Sequence, residues 1–103
     1  MEVILNKASA VAPELVNLNG VNKHYGQGLS SCQALHDIHL KLAPAEMIAV
    51  CGPSGSGKTS LLNIIGMLDS ATEGSVIVGR LLVSKMSDQP RADVRNELIG
   101  FVF

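Results

Sequence analysis

Tryptophan is absent from this sequence of 103 residues, aromatic residues make up only 3% and charged residues only 17%. Hydrophobic residues reach 47%, which is apolar for a small soluble domain. A chain of this length buries one modest hydrophobic core and is too short for two. The composition therefore indicates a single core, with apolar surface to be covered by a further part of the domain or by partners.

Cysteine is scarce, and basic residues are not in excess. Cys32 and Cys51 are too few for a disulfide framework or a zinc site, so both are predicted to be reduced thiols. Eight basic against nine acidic residues give a net charge of -1, and no run of Lys or Arg forms a basic patch. We therefore expect no nucleic-acid partner.

Long hydrophobic runs are missing as well. No stretch approaches the roughly 18 to 20 continuous apolar residues that span a bilayer, and the N-terminal apolar run is too short for a signal peptide. The sequence therefore predicts a cytoplasmic chain without a transmembrane segment of its own. Residues 1–14 show no clear periodicity and are predicted to be a flexible leader.

Three strand patterns precede residue 52. Apolar residues alternate in 15–25 with a phase shift at Gly20, which predicts a strand with a bulge. Alternation in 38–42 predicts a half-buried antiparallel strand. Met47–Cys51 has no polar residue, which is typical of a central strand in a parallel sheet.

Helical and strand patterns alternate after residue 57. Apolar residues surround most of the circumference of a predicted helix at 58–68. Two β-like runs around Gly79 predict a hairpin in 74–83. Residues 87–90 resemble a helix start, and the helix itself is predicted for 91–98. A further apolar strand is predicted for 99–103. Together these patterns favour an α/β fold.

The most specific pattern is a phosphate-binding loop. Gly52, Gly57, Lys58 and Thr59 match G-x-x-x-x-G-K-[ST], with an apolar strand before the loop and a helix after it. The charge of a triphosphate must be met by several backbone N–H groups, which only a loop with little side-chain bulk allows. Gly55 and Gly57 supply that freedom, and the start of a helix adds N–H groups and the positive end of its dipole.

The motif assigns roles to individual residues. Lys58 is predicted to reach the β and γ phosphates, and the Thr59 hydroxyl to ligate Mg²⁺. Pro53 has no N–H, so the cradle begins at Ser54. The alternative is a glycine-rich turn that only connects the strand to the helix. It is disfavoured, because packing does not require a lysine followed by a threonine at the start of the helix. The candidate residues are Gly52, Pro53, Ser54, Gly55, Ser56, Gly57, Lys58, Thr59 and Ser60.

Residues 52–69, which read GPSGSGKTSLLNIIGMLD, resemble the ATP-binding subunit of ATP-binding-cassette (ABC) transporters. The likeness runs from Leu15 over nearly the whole chain and is greatest to the lipoprotein-release and macrolide-export branch. It implies an α/β P-loop NTPase core with an incomplete parallel sheet and an N-terminal antiparallel β subdomain. Residues 15–103 would form the N-terminal portion of that domain.

The resemblance also implies ligands and partners. Residues 21–26 match the motif whose aromatic residue stacks on adenine, which assigns that role to Tyr25. The residues alone favour an ordinary strand aromatic at this position. The cofactors would be ATP and Mg²⁺. The partners would be a second ATP-binding subunit in a head-to-tail dimer and transmembrane permease subunits. These partners would place the chain at the cytoplasmic face of the inner membrane, where ATP hydrolysis drives export.

The sequence departs from the family pattern in three respects. Ala45 stands where a glycine is usual, and Thr59 precedes Ser60 where the order is usually Ser-Thr, although either hydroxyl can bind Mg²⁺. The glutamine loop, signature, Walker B and switch histidine of the family are not found in these 103 residues. No catalytic residue is therefore assigned, and we expect the chain alone to bind ATP without hydrolysing it.

The remaining polar residues have simpler interpretations. His24, His36 and His39 precede the loop and are predicted to lie at the surface or at a sheet edge, while Asp69 and Glu73 are predicted to be capping or turn residues. Two alternatives stay open beside the transporter ATPase: a non-catalytic truncated remnant, and another P-loop NTPase such as a kinase or GTPase.

The resemblance predicts that the coding sequence continues past Phe103 with a glutamine. The apolar run at 99–103 has no turn signal at its end, and in the family a strand ending Gly-Phe-Val-Phe leads directly into that glutamine. Reading the genomic frame tests the prediction. A stop codon would favour the remnant, and a different residue would weaken the resemblance.

Overall fold

The computed structural model describes the backbone of residues 2–6 and all of residues 14–102. Its strands are β1 (Glu2–Asn6), β2 (Val16–Tyr25), β3 (Cys32–Leu42), β4 (Met47–Cys51), β5 (Glu73–Val78) and β6 (Leu81–Leu82). Its helices are α1 (Lys58–Ile65) and α2 (Asp88–Leu98), with 3₁₀ turns at Gly28–Ser30 and Val83–Lys85.

A four-stranded sheet with the order β3-β2-β5-β6 contains the longest strands, and every neighbouring pair in it is antiparallel. The register of β2 shifts between Leu18 and Val21, around Gly20 with its φ of +62°. The bulge predicted at this glycine is thereby confirmed, as are the antiparallel strand at 38–42 and the hairpin in 74–83.

The strand that leads into the glycine-rich loop has a different partner from the one expected. β4 pairs antiparallel with β1, from Glu2 opposite Cys51 to Asn6 opposite Met47. All strand pairs among residues 2–6 and 14–102 are antiparallel, so the parallel neighbours predicted for β4 are not found there. Backbone N–H and C=O groups require partners, and β1 provides them for β4.

Two predicted segments differ from the structure. Within the predicted leader, Glu2–Asn6 is the strand β1, while residues 7–13 lie outside the described residues. Residues 99–102, predicted as a strand, have no regular secondary structure. The Ile99 amide instead donates to the Arg95 carbonyl at 2.9 Å as the C-terminal cap of α2, and Phe103 lies outside the described part of the chain.

Helix α1 packs its apolar face on the four-stranded sheet. It supplies Leu61 and Ile64, which are buried, to a core formed mainly by inward-facing residues of the sheet. The other buried apolar members are Val16, Leu18, Val21, Leu35, Leu40, Met67, Val76, Val78 and Val83. The core therefore lies between α1 and the sheet.

Helix α1 ends earlier than predicted because Met67 adopts the left-handed conformation, with φ +62°. The Leu68 amide donates to the Asn63 carbonyl at 2.8 Å, and the Met67 amide to the Ile64 carbonyl at 3.1 Å. This pattern is the Schellman motif, which usually has glycine at the left-handed position. Met67 is fully buried, so its packing offsets the strained backbone.

Leu61→Ala should destabilise the fold by about 2 to 5 kcal/mol, because Leu61 is 0% exposed and its truncation leaves a cavity. Leu62→Ala is the matched control, since Leu62 is the next residue of α1 and is 52% exposed. It should cost less than about 1 kcal/mol. Urea unfolding measures both variants, and equal losses would contradict this packing.

Candidate functional site

The loop between β4 and α1 depends on two glycines for different reasons. Gly55 and Gly57 have φ values of +84° and +97°, which favour glycine. A Cβ at Gly57 would also lie 2.5 Å from the Ala34 carbonyl oxygen and 3.0 Å from Leu35 Cδ2, whereas one at Gly55 would meet nothing within 4 Å. Gly57 therefore also permits close packing of the loop on β3.

Lys58 holds its positive charge over this loop. Its Nζ donates to the carbonyl oxygens of Gly52 and Pro53, the latter at 3.1 Å. The Ser56 amide donates to the Pro53 carbonyl at 3.2 Å, while the Ser56 Oγ is buried and has no hydrogen-bond partner within the described residues. An ammonium group, an orphan hydroxyl and the first N–H groups of α1 together fit an anionic ligand.

An open cleft of about 470 Å³ lies beside the loop. One wall contains six of the predicted residues, Ser54, Gly55, Gly57, Lys58, Thr59 and Ser60. The other consists of Cys32, Gln33 and Ala34 at the start of β3. The sequence analysis did not assign these three residues to the site, because their side chains carry no phosphate-binding signal and only the packing of Gly57 brings them there.

Two adjacent hydroxyl groups at the start of α1 have different surroundings. The Ser60 Oγ shares a hydrogen bond of 3.1 Å with the Tyr25 hydroxyl. Thr59 has an exposed side chain at the cleft. Thr59 is therefore the better placed of the two to reach a metal ion, and Ser60 connects the loop with Tyr25.

The predicted site residues that do not line the cleft still lie next to it. Gly52 and Pro53 accept hydrogen bonds from Lys58, and Ser56 is in the loop itself. Tyr25 is the last residue of β2 and is 40% exposed. The histidines His24, His36 and His39 are exposed, as predicted.

A charged cluster next to Tyr25 was not assigned to the site. Lys23 Nζ lies 3.1 Å from Asp69 Oδ1 and donates to the Ser70 carbonyl at 2.8 Å. The Tyr25 hydroxyl donates to Asp69 Oδ2 at 3.2 Å. Lys23 is buried and in phase with Val21 on β2, and a charge at an inward-facing strand position is a sequence signal for such a pair.

Asp69 is ionised more readily than an ordinary aspartate. Partial burial acts to raise the pKa of Asp69, but it is outweighed by the hydrogen bond and charge of Lys23, the Ser70 amide and the Tyr25 hydroxyl. The pKa therefore lies below the ordinary value of 3.8. Asp69 lies in the bend after α1, as predicted, and the Ser70 amide donates to its Oδ1 at 2.8 Å. Glu73, for which a capping or turn position was also predicted, is instead the first residue of β5.

A strand, a glycine loop and a helix that carries a lysine at its first position define a P-loop NTPase fold. Residues 35–102 match the family model described as "ABC transporter". That match covers more than half of the chain, and the protein belongs to the ABC transporter family. The alternatives of a P-loop kinase and a GTPase are thereby excluded.

Three relatives illustrate the similarity. The lipoprotein-releasing system ATP-binding protein LolD of Anaeromyxobacter dehalogenans is 44% identical over 93% of this chain and 40% of its own length. The macrolide export ATP-binding/permease protein MacB of Sodalis glossinidius is 40% identical over 86% of this chain and 14% of its own length.

The third relative is a cassette of known structure, MJ0796 of Methanocaldococcus jannaschii. One dimeric structure of it has a TM-score of 0.70 at 34% identity, over 85% of this chain and 38% of that one. Another, bound to ADP and Pi, has a TM-score of 0.64 at 33% identity, over 78% of this chain and 34% of that one. The chain thus spans well under half the length of these relatives. In its described part, neither helix has the length and hydropathy needed to cross a membrane.

The stabilising contribution of the Asp69 carboxylate should disappear in acid. Because its pKa is lowered in the folded state, the contribution is complete above the ordinary value of 3.8 and is lost as the pH falls through the lowered value. Urea unfolding of the wild type and Asp69→Asn should therefore show a difference at neutral pH that vanishes at low pH. A difference independent of pH would contradict the pairing with Lys23.

Proposed function

We propose that this chain binds Mg²⁺-ATP as the nucleotide-binding part of an ABC transporter. The observation that carries the proposal is the position of Lys58, whose ammonium group lies over a loop with two left-handed glycines at the start of α1. The two carbonyl oxygens that Lys58 contacts are uncharged, whereas a chain of phosphates carries the negative charge that an ammonium group matches.

Each residue of the loop contributes a different part of the binding. Backbone N–H groups from Ser54 onward would surround the phosphates, and Lys58 would exchange its two carbonyl contacts for the β and γ phosphate oxygens. The exposed Thr59 hydroxyl would hold Mg²⁺, which neutralises phosphate charge. Tyr25 would stack on adenine, and stacking of this kind contributes about 1 to 3 kcal/mol by analogy with base–aromatic contacts.

The larger assembly follows from what the relatives' names state. The names of a macrolide export ATP-binding/permease protein and a lipoprotein-releasing system ATP-binding protein support a role in export. We take ATP hydrolysis to be the step that drives it. The dimeric cassette supports pairing with a second ATP-binding subunit, which we take to be head-to-tail. Permease partners would then hold the protein at the cytoplasmic face of the inner membrane.

Lys58→Ala should weaken the binding of a fluorescent ATP analogue by at least about tenfold, because charge-assisted hydrogen bonds to phosphate are lost. The titration is done with and without Mg²⁺, and the wild type should bind more tightly with the metal. Lys41→Ala is the control, since Lys41 is an exposed lysine of β3. Equal affinities of the wild type and Lys58→Ala would remove the proposed function.

A further inference from the structure

The side chain of Tyr25, at the end of β2, has contacts with three other side chains. We propose that Asp69 and Lys23 are positioning residues that fix the Tyr25 ring with one face directed to the adenine base. Lys23, Tyr25 and Asp69 together form one unit. Through Ser60, this unit connects the base site with the phosphate loop. The inference rests on the proposed function, since it concerns how this site receives the base.

The Tyr25 hydroxyl has two hydrogen-bond partners on different parts of the chain. Ser60 Oγ lies 3.1 Å away in the first turn of α1, and Asp69 Oδ2 lies 3.2 Å away beyond the end of that helix. The side chain is 40% exposed, so packing alone does not hold it. Two anchors at the far end of a tyrosine fix the plane of the ring as well as its position.

Lys23 occupies one side of the ring. Its Nζ lies 5.0 Å from the ring centroid, within the range of a cation–π interaction. The ammonium group cannot move away freely, because Asp69 Oδ1 and the Ser70 carbonyl both accept from it. A planar base must therefore approach Tyr25 on the face that Lys23 leaves open.

Asp69 is the shared acceptor of the unit. One carboxylate oxygen accepts from Lys23 and from the Ser70 amide, and the other accepts from Tyr25. The backbone of Asp69 is fixed by the end of α1, since its amide donates to the Asn63 carbonyl at 3.2 Å. Helix α1 therefore carries the phosphate-loop lysine at its first residue and positions the tyrosine anchor beyond its last.

In this arrangement the Tyr25 hydroxyl group is needed for binding, whereas simple stacking on the ring does not need it. A ring that only stacks would work equally well as phenylalanine. A ring that must be fixed before the base arrives loses affinity without the hydroxyl, because the ligand must then order the side chain. The contribution of the unit should thus appear only with ligands that contain a base.

The test compares Mg²⁺-ATP with Mg²⁺ and inorganic tripolyphosphate, which has the phosphates without the base. Tyr25→Phe and Asp69→Asn should each weaken ATP binding by about 3- to 10-fold and leave tripolyphosphate binding unchanged. Asp88→Asn is the control, because Asp88 is an almost fully exposed acid that pairs with Arg91 on α2. It should change neither affinity.

Each other outcome is decisive. Tyr25→Phe with wild-type affinity for ATP would overturn the inference, as would equal weakening of both ligands, which indicates only a disturbed fold. The inference would also be overturned if the wild-type protein bound ATP no more tightly than tripolyphosphate. In that case, a Lys58→Ala variant that binds neither ligand would still support the proposed phosphate site. No ATP binding at all by the wild type would remove the proposed function as well.

Discussion

The close packing of Gly57 on the start of β3 determines where the rest of the site lies. The Gly57 backbone lies so near the Ala34 carbonyl and the Leu35 side chain that no Cβ fits between them. Because α1 begins at the next residue, this contact sets the position of the helix on the sheet. The buried face of α1 then reaches the core, and its first turn faces the cleft and Tyr25.

The site joins two kinds of electrostatic environment. At the loop, Lys58 interacts with carbonyl oxygens, which are weaker partners than phosphate and can be exchanged for it. Beside Tyr25, Lys23 is buried and paired with a carboxylate, so its charge is already neutralised within the protein. Lys58 is therefore suited to bind a ligand reversibly, whereas Lys23 is suited to a fixed structural role.

Local patterns in the sequence predicted the local parts of the fold well. Gly20 marked the bulge of β2, and the spacing from Gly52 to Thr59 marked the loop. Residues 87–90 marked the start of α2, although the helix begins at Asp88 and not at the predicted residue 91. The loop motif also led to the family, which residues 35–102 confirm. These features depend on neighbours in sequence, where turn chemistry and periodicity act directly.

Long-range contacts were not predictable in the same way. The pairing of β4 with β1 joins strands that are separated in the sequence by the whole of β2 and β3, and no local pattern specifies it. Asp69 was interpreted as a turn residue, which it is, but its partner Lys23 lies 46 residues away. The structure shows that Lys23 is buried, and this burial is what requires a carboxylate partner.

The left-handed Met67 couples the length of a helix to the packing of the core. A glycine at this position would adopt the conformation without strain but would leave empty the space that the buried methionine fills. Backbone preference and side-chain burial therefore act in opposite directions at a single residue. The place where α1 stops, and with it the place of the Asp69 carboxylate, is specified by tertiary packing rather than by the intrinsic preference of the chain.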